Sequence, residues 1–318
     1  MKKSEISKTF YQKLICKLYV LGAPSEGESI LFVVYGDEQI IYSCITDSFT
    51  MDKTNIPILI TEQCDIDHVT DVFWTHPHDD HSDGLVEIID KYEPEYVYIP
   101  SDLQTLPDDT PELSKVVLEK INQYHSCDKR YNYQPIIVDI GTNHIVLEKI
   151  LNVAGKKVPF SIYTVAPAIG KVRRDVITDN FNKINDFSLA ISISIGDFSI
   201  LLTGDIQDQM IYYVYNDLQR KIDTPNLLKI PHHGSKGSLS VISLFDNDTK
   251  VDVAVTTSKK TSRLPKKEAL DFYSMYCNRI YKIGYEDELV GIWGVEIDIL
   301  NATVTVLETQ NYVIHTSA

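Results

Sequence analysis

Three histidines and three aspartates fall within the eleven residues 74–84, WTHPHDDHSDG, in a chain with only nine histidines. His76, His78, Asp80 and His81 fit the pattern H-x-H-x-D-H. Alternate residues of an extended segment point the same way, so His76 and His78 can grip one cation while Asp80 and His81 face a second position beside it. Imidazole and carboxylate together suit zinc, iron or manganese, and an ion with an open coordination position activates water. A polar surface loop is the competing reading. A single histidine would fit it, but three with an aspartate at this spacing, directly after the apolar VTDVFW, do not.

The elements that must position this loop can be read from periodicity. Residues 16–22, 29–36 and 39–46 read as strands, 58–64 as a short helix, and 69–74 as a buried strand that delivers the histidine loop at its C-terminal end. An amphipathic helix is expected over 84–92, a strand over 96–100, and a helix over 111–125 with Pro111 near its start. PIIVDI, HIVLEKI and FSIYTVAP read as strands, 168–185 as a polar, basic loop, and 187–205 as a hairpin around Gly196-Asp197. A helix over IQDQMIYYVYNDLQRKI precedes the strand NLLKIP, which ends in His232-His233-Gly234. A strand VDVAVTTS, a helix KKEALDFYSMY and the strands RIYKIG, WGVEIDIL and TVTVLET complete the chain. There is no repeat, low-complexity tract or linker, so one α/β (α+β) domain over 1–318, sheets covered by helices, is expected.

Composition narrows the partners. Hydrophobic residues are 43% and charged residues 24%, as in ordinary globular proteins. No apolar run approaches the roughly 18 to 20 residues that span a bilayer, and MKKSEISKTFYQKL carries no apolar signal segment. No membrane partner is expected. Five scattered cysteines suit reduced thiols in a cytoplasm. The net charge of −15 means that any polyanion needs a local basic patch. Lys259, Lys260, Arg263, Lys266 and Lys267 fall within nine residues without an acid; Lys171, Arg173 and Arg174 form a second cluster, and Lys236 follows the HHGS stretch. This clustering favours an anionic, phosphorylated substrate. No sequence feature sets an oligomeric state.

The histidine loop, LLTGD with Asp205 at a strand end, and LKIPHHGSKGS together resemble the metallo-β-lactamase superfamily over nearly the whole chain. HHGSKGS, GESILF, NDFSLAI with LLTGD, and VDVAVTTS resemble more narrowly the C-terminal hydrolase domain of ComEC-type competence proteins and their free-standing relatives. The resemblance implies an αββα sandwich with two divalent metal ions at one edge, zinc foremost, and the activity of a metal-dependent DNA nuclease. The membrane-channel part of those proteins is not present here, so a role in DNA uptake is not implied.

Carried over residue by residue, the resemblance implies that Asp205 bridges the metals. His233 is favoured over His232 as the last ligand. One site would comprise His76, His78, Asp205 and one of Asp186, Asn185 or Asp179; the other would comprise Asp80, His81, Asp205 and His233. Two departures stand out. No histidine lies between His144 and His232, where most of the superfamily has a further ligand. Asn185 and Ser188 match the Asn-x-x-Ser of ComEC-like members, which also lack that histidine. With fewer nitrogen ligands, the first site should be the weaker and open to manganese. Arg263-Leu264-Pro265 stands where relatives often carry Gly-His-Pro, so protonation of the leaving group or the substrate should differ.

The implied chemistry is hydrolysis by a metal-bound hydroxide, whose parent water Asp80 or Asp205 would orient or deprotonate. His232 and Ser235 are candidates for substrate contact or proton donation, and Lys236, Lys259, Arg263, Asn185 and Ser188 for substrate binding. A phosphodiesterase or nuclease acting on DNA is the leading expectation. A small-molecule hydrolase (of a cyclic nucleotide, a phosphorylcholine-like ester or a lactone) and a non-catalytic partner-binding module on the same fold are the alternatives. Asp47 is expected behind the histidine loop. His68, His125, His144 and His315 are read as surface or structural, and Phe73 and Trp74 as core.

Overall fold

The computed structural model describes residues 5–101, 103, 110–125, 135–177, 184–218, 221–246, 249–284 and 289–312. In chain order the strands are β1 (Glu5–Tyr11), β2 (Leu14–Ala23), β3 (Gly27–Gly36), β4 (Gln39–Thr46), β5 (Thr50–Met51), β6 (Thr54–Asn55), β7 (Asp71–Phe73), β8 (Tyr96–Pro100) and β9 (Ile136–Ile140). They continue with β10 (Ile145–Val153), β11 (Lys156–Ala166), β12 (Ala190–Ile195), β13 (Phe198–Leu202), β14 (Leu227–Lys229), β15 (Val251–Thr257), β16 (Cys277–Ile283), β17 (Val290–Asp298) and β18 (Thr303–Tyr312). The helices are α1 (Ile56–Gln63), α2 (Asp79–Ser82), α3 (Leu85–Tyr92), α4 (Glu112–His125), α5 (Ile169–Ile177), α6 (Asp208–Leu218) and α7 (Lys267–Tyr273).

Two eight-stranded sheets form, in the orders β18-β17-β2-β3-β4-β7-β8-β9 and β1-β10-β11-β12-β13-β14-β15-β16. Strand alternation explains how they stack. Along β3, Ile30, Phe32 and Val34 join the core shared with Ile191, Ile193 and Ile200 of the opposite sheet. The intervening Leu31 and Val33 face the other way, into a core that includes residues of α1, α3 and α4. Val165, Ala190 and Leu201 of the second sheet are likewise buried with residues of α5 and α6. The result is the αββα sandwich of the metallo-β-lactamase type.

Each sheet changes character partway. β2, β3 and β4 run antiparallel, then β4, β7, β8 and β9 run parallel. β10 to β13 run antiparallel, then β13 to β16 run parallel. Parallel neighbours need crossover connections, so the C-terminal ends of β4, β7, β13, β14 and β15 all release loops. Ligands in open α/β sheets gather at such carboxyl ends. Those of the present chain carry Asp47, the histidine loop, Asp205, His232-His233 and Lys259.

Several details differ from the sequence reading. Residues 169–177 form α5 instead of part of a basic loop: Val172 packs into the core, and Lys171 is buried with its Nζ 5.6 Å from the ring centroid of Tyr213 on α6. β1 was not expected; it pairs in parallel with β10. The HHGSKGS stretch, to which no element was assigned beyond the end of the strand NLLKIP, is wound into short 3-10 turns, His232–Gly234 and Lys236–Leu244.

Candidate metal centre

The histidine loop is fixed at both ends. The Trp74 amide donates to Tyr98 O at 2.9 Å, and the buried indole Nε1–H donates to Ser82 Oγ at 3.0 Å. Asp47 receives the Thr75 amide on Oδ1 at 2.7 Å and the Thr75 hydroxyl on Oδ2 at 2.5 Å. From this platform His76 points inward and is fully buried. One turn of helix, α2, then brings Asp80 and His81 around.

Ligand-type atoms converge in three overlapping groups, the atoms of each lying within 4.8 Å of one another: His76 with His78 and Asp205, Asp80 with His81 and His233, and Glu28 with His81 and Asp205. Asp205 Oδ2 lies 3.9 Å from His76 Nε2 and 3.7 Å from His233 Nε2, and its Oδ1 lies 3.8 Å from His81 Nε2. Asp80 Oδ2 lies 3.5 Å from His81 Nε2 and 3.4 Å from His233 Nε2. The atoms that face one another here are left without hydrogen-bond partners: His81 Nε2, His233 Nε2 and both carboxylate oxygens of Asp205. Buried polar atoms without partners are costly and rare. A cluster of them aimed at shared points, with nitrogen and carboxylate donors mixed, has the chemistry of a site for divalent cations.

The electrostatics follow from burial against mutual attraction. Burial alone would raise the Asp205 carboxyl, but His233, His81, His76 and His232 outweigh it and hold it well below the usual carboxylate range. Asp80 is likewise held low, against burial, by His81, His233 and Lys259. His81 has the opposite balance: burial disfavours its proton, yet Asp80, Asp47 and Asp205 push it up to about 10. Burial brings His78 down to about 4 and holds His76 and His232 below the ordinary histidine value.

Behind these donor atoms stand groups that hold the rings. His81 Nδ1 lies 2.7 Å from Asp47 Oδ2, the place expected for Asp47. His76 Nδ1 meets Thr75 Oγ1 at 3.0 Å. His233 Nδ1 meets Thr257 Oγ1 at 2.7 Å and lies 3.3 Å from Glu28 Oε2. Thr257 donates in turn to Glu28, and the fully buried Lys229 holds Glu28 at 2.9 and 2.8 Å. Sequence reading assigned no role to Glu28, Thr257 or Lys229. The available signal was a lysine inside the apolar strand NLLKIP, which needs a buried partner.

His232 and His233 both have left-handed backbones, with φ of 49° and 50°. For residues other than glycine this costs about 1 to 3 kcal/mol each and persists where the surroundings impose it. His233 is buried against Asp80 and Asp205. His232 is partly exposed; its Nε2 lies 3.8 Å from Asp205 Oδ2, and Asn185 Nδ2 and Gln207 Nε2 approach its two ring nitrogens at 3.4 and 3.1 Å. A neutral imidazole can accept at only one nitrogen, so only one of these two amide groups can donate to the ring at a time. Asn185, Asp186 and Ser188 are buried in or beside the 3-10 turn Ile184–Phe187. Asp186 is not among the atoms that converge, and Asp179 lies outside the described residues.

The basic residues divide. Lys259 Nζ donates to Asp80 Oδ2 at 2.6 Å, inside the site. Arg263 is exposed on a turn anchored by the Lys266 amide, which donates to Gly234 O at 3.0 Å. Lys236, by contrast, is paired with Glu268 at 2.8 Å. Ser235 caps the following turn, accepting from the Gly237 amide at 3.3 Å.

No protein-family model matches the chain, and no curated protein matches it. Among solved structures, it is similar to a metallo hydrolase from the archaeon Ignicoccus hospitalis at 9% identity, covering 92% of this chain and all of that one, with a TM-score of 0.42. It is similar to CmlA, a diiron β-hydroxylase from Streptomyces venezuelae, at 12% identity over 84% of this chain and 45% of that one, with a TM-score of 0.39. An archaeal metallo-β-lactamase superfamily protein from Sulfolobus tokodaii aligns at 14% identity over 58% of this chain and 62% of that one, with a TM-score of 0.29.

Proposed function

We propose that the chain is a metal-dependent hydrolase of phosphodiesters, with His76, His78 and Asp205 holding one divalent cation and Asp80, His81, His233 and Asp205 a second. The observation that carries this reading is the set of buried, unpartnered ligand atoms on His81, His233 and Asp205 that face shared points. When bound, two such cations, zinc foremost and manganese at the weaker position, supply a water of lowered pKa and positive charge for a developing oxyanion. The chain's own groups do the rest. Asp80, partly buried, or Asp205, fully buried, would orient the attacking water or take its proton. Lys259, held by Asp80 at the mouth of the site, presents an ammonium to a substrate anion. His232, partly exposed beside Asp205, is placed to contact the substrate or to pass a proton to the leaving oxygen, with Asn185 holding its ring.

The basic turn carrying Lys260 and Arg263, with Lys267 at the start of α7, packs against the HHG turn and supports a polymeric substrate such as DNA, in line with the ComEC-type resemblance. A second reading, hydrolysis of a small phosphorylated molecule, is favoured by a specific observation: Lys236 is paired with Glu268 and Lys171 is buried, so fewer cations line the rim than the composition suggests. We read residues 1–318 as one hydrolase unit working in a cytoplasm. Cys16, Cys44, Cys64 and Cys277 as free thiols support that compartment, and among the described residues no helix is long and apolar enough to cross a membrane.

The test is metal content together with hydrolysis of bis-p-nitrophenyl phosphate, then a panel of single-stranded DNA, duplex DNA and cyclic nucleotides. Metal-dependent turnover of DNA supports the leading reading. Turnover of cyclic nucleotides alone supports the second. Tight metal binding without turnover of any phosphodiester would remove both.

A further inference from the structure

Glu28 on β3 and Lys229 on β14 belong to different sheets and meet beneath the metal edge, 2% and 0% exposed. Two contacts of 2.9 and 2.8 Å join them. A buried ion pair is a poor stabiliser, because apolar side chains of similar volume do as well or better. Its presence beside the buried Leu227, Leu228 and Ile230 therefore calls for another role. The hydrogen bonds around it supply one.

Both carboxyl oxygens of Glu28 lie against the Lys229 ammonium, a pairing that holds the group as a carboxylate. A carboxylate only accepts, so the Thr257 hydroxyl spends its single proton on Glu28. The same oxygen, 2.7 Å from His233 Nδ1, must then accept from that ring. His233 Nδ1 thus carries the proton, and Nε2, facing Asp80 and Asp205, is a bare lone pair. Thr257 is itself held in place: a Cβ on Gly22 would lie 2.7 Å from its Cγ2, so only glycine leaves room for it.

We propose that Glu28, neutralised by Lys229 and acting through Thr257, is a positioning residue that fixes His233 in its Nδ1-protonated form, with Nε2 ready for the cation of the Asp80–His81–His233 group. This rests on the metal-centre reading above. The arrangement parallels Asp47 behind His81, with a hydroxyl interposed and a buried lysine balancing the charge.

The test compares wild type with Glu28→Gln/Lys229→Met, Thr257→Val and Thr257→Ser. Zinc affinities are measured by chelator competition, and histidine tautomers by long-range ¹H–¹⁵N spectra of the metal-free proteins. The double variant removes both charges together, so its Tm should stay near wild type. One zinc ion should nonetheless bind roughly 10- to 100-fold more weakly, the usual loss when a ligand's hydrogen-bond partner is removed. The other ion should be unaffected, and the Nδ1–H signal of His233 should be lost. Thr257→Val leaves the ion pair intact and should weaken the same ion, so it carries the test even where the double variant folds poorly. Thr257→Ser should behave as wild type. Wild-type affinity and tautomer in both the double variant and Thr257→Val would overturn the inference. Wild-type protein that takes up no zinc would instead overturn the metal-centre reading itself.

Discussion

His76, His81 and His233 each turn Nδ1 toward a buried acceptor, whereas His78 turns its Nδ1 toward His76. His81 has Asp47 at 2.7 Å, His233 has Thr257 at 2.7 Å, and His76 has the Thr75 hydroxyl at 3.0 Å, itself donating to Asp47. The nearest ring partner of His78 Nδ1 is His76 Nε2 at 3.0 Å, an atom that must give up this contact to bind a cation. The two halves of the centre therefore share residue types and differ in support. Hydrogen bonds behind a histidine fix its tautomer and raise its basicity. The Asp80–His81–His233 half is organised before any cation arrives, and the His76–His78 half has to rearrange. The first should bind more tightly.

The harshest way to break this contrast is Asp205→Ala, which removes a carboxylate common to both halves. Both ions should be lost and hydrolysis abolished; a titration still showing two tight sites would rule out the bridging role. Next come the paired variants His81→Ala and His78→Ala. His81→Ala should strip the tighter ion, while His78→Ala should strip only the weaker one and leave a protein that still binds one equivalent. The reverse pattern would mean that the anchors behind the rings do not set affinity.

Protons sharpen the same contrast. In the metal-free protein His81 is raised to about 10 from its ordinary 6.5. The stability it contributes is complete below the unfolded value and is lost as pH rises through the folded one. A cation at the tighter site must displace that proton. Zinc uptake near about pH 8 should therefore release about one proton, and affinity should climb with pH until His81 titrates. Calorimetry in two buffers of different ionisation enthalpy measures this directly; uptake with no proton release would show that His81 is not the ligand. His78, lowered by burial to about 4, is already neutral there and should contribute no proton at the weaker site.

The smallest effect belongs to the rim. Replacing Lys260, Arg263 and Lys267 with glutamine should leave metal affinity unchanged. It should raise KM for DNA more than for bis-p-nitrophenyl phosphate and flatten the salt dependence on DNA. An equal effect on both substrates favours the small-molecule reading. Lys259→Gln should affect both substrates, because its ammonium sits on Asp80.

The residues whose donor atoms converge were legible in the sequence because their spacing is local: H-x-H-x-D-H, TGD and HHG each place donors within a few residues at strand ends. Asp47 was legible as the strand-end acid preceding that loop. What holds His233 was not, since Glu28 and Lys229 lie 201 positions apart and meet only because two sheets stack. Glu28 reads locally as one more polar residue after the turn GAPSEG. The basic stretch around Lys171 was misread for a related reason. Its charge suggests solvent, but helix α5 turns the lysine onto an aromatic ring whose position no local pattern gives. Central strands such as β3 were readable as continuous apolar runs, because they are buried on both faces, between the inter-sheet core and the helices.

The most direct test is a zinc titration of the metal-free wild-type protein, followed by anomalous diffraction at the zinc edge with one and with two equivalents. The account predicts two ions. The first should lie among Asp80, His81, His233 and Asp205, and the second, bound more weakly, among His76, His78 and Asp205. No ordered zinc at these residues, or a first equivalent held by His76 and His78, would contradict it.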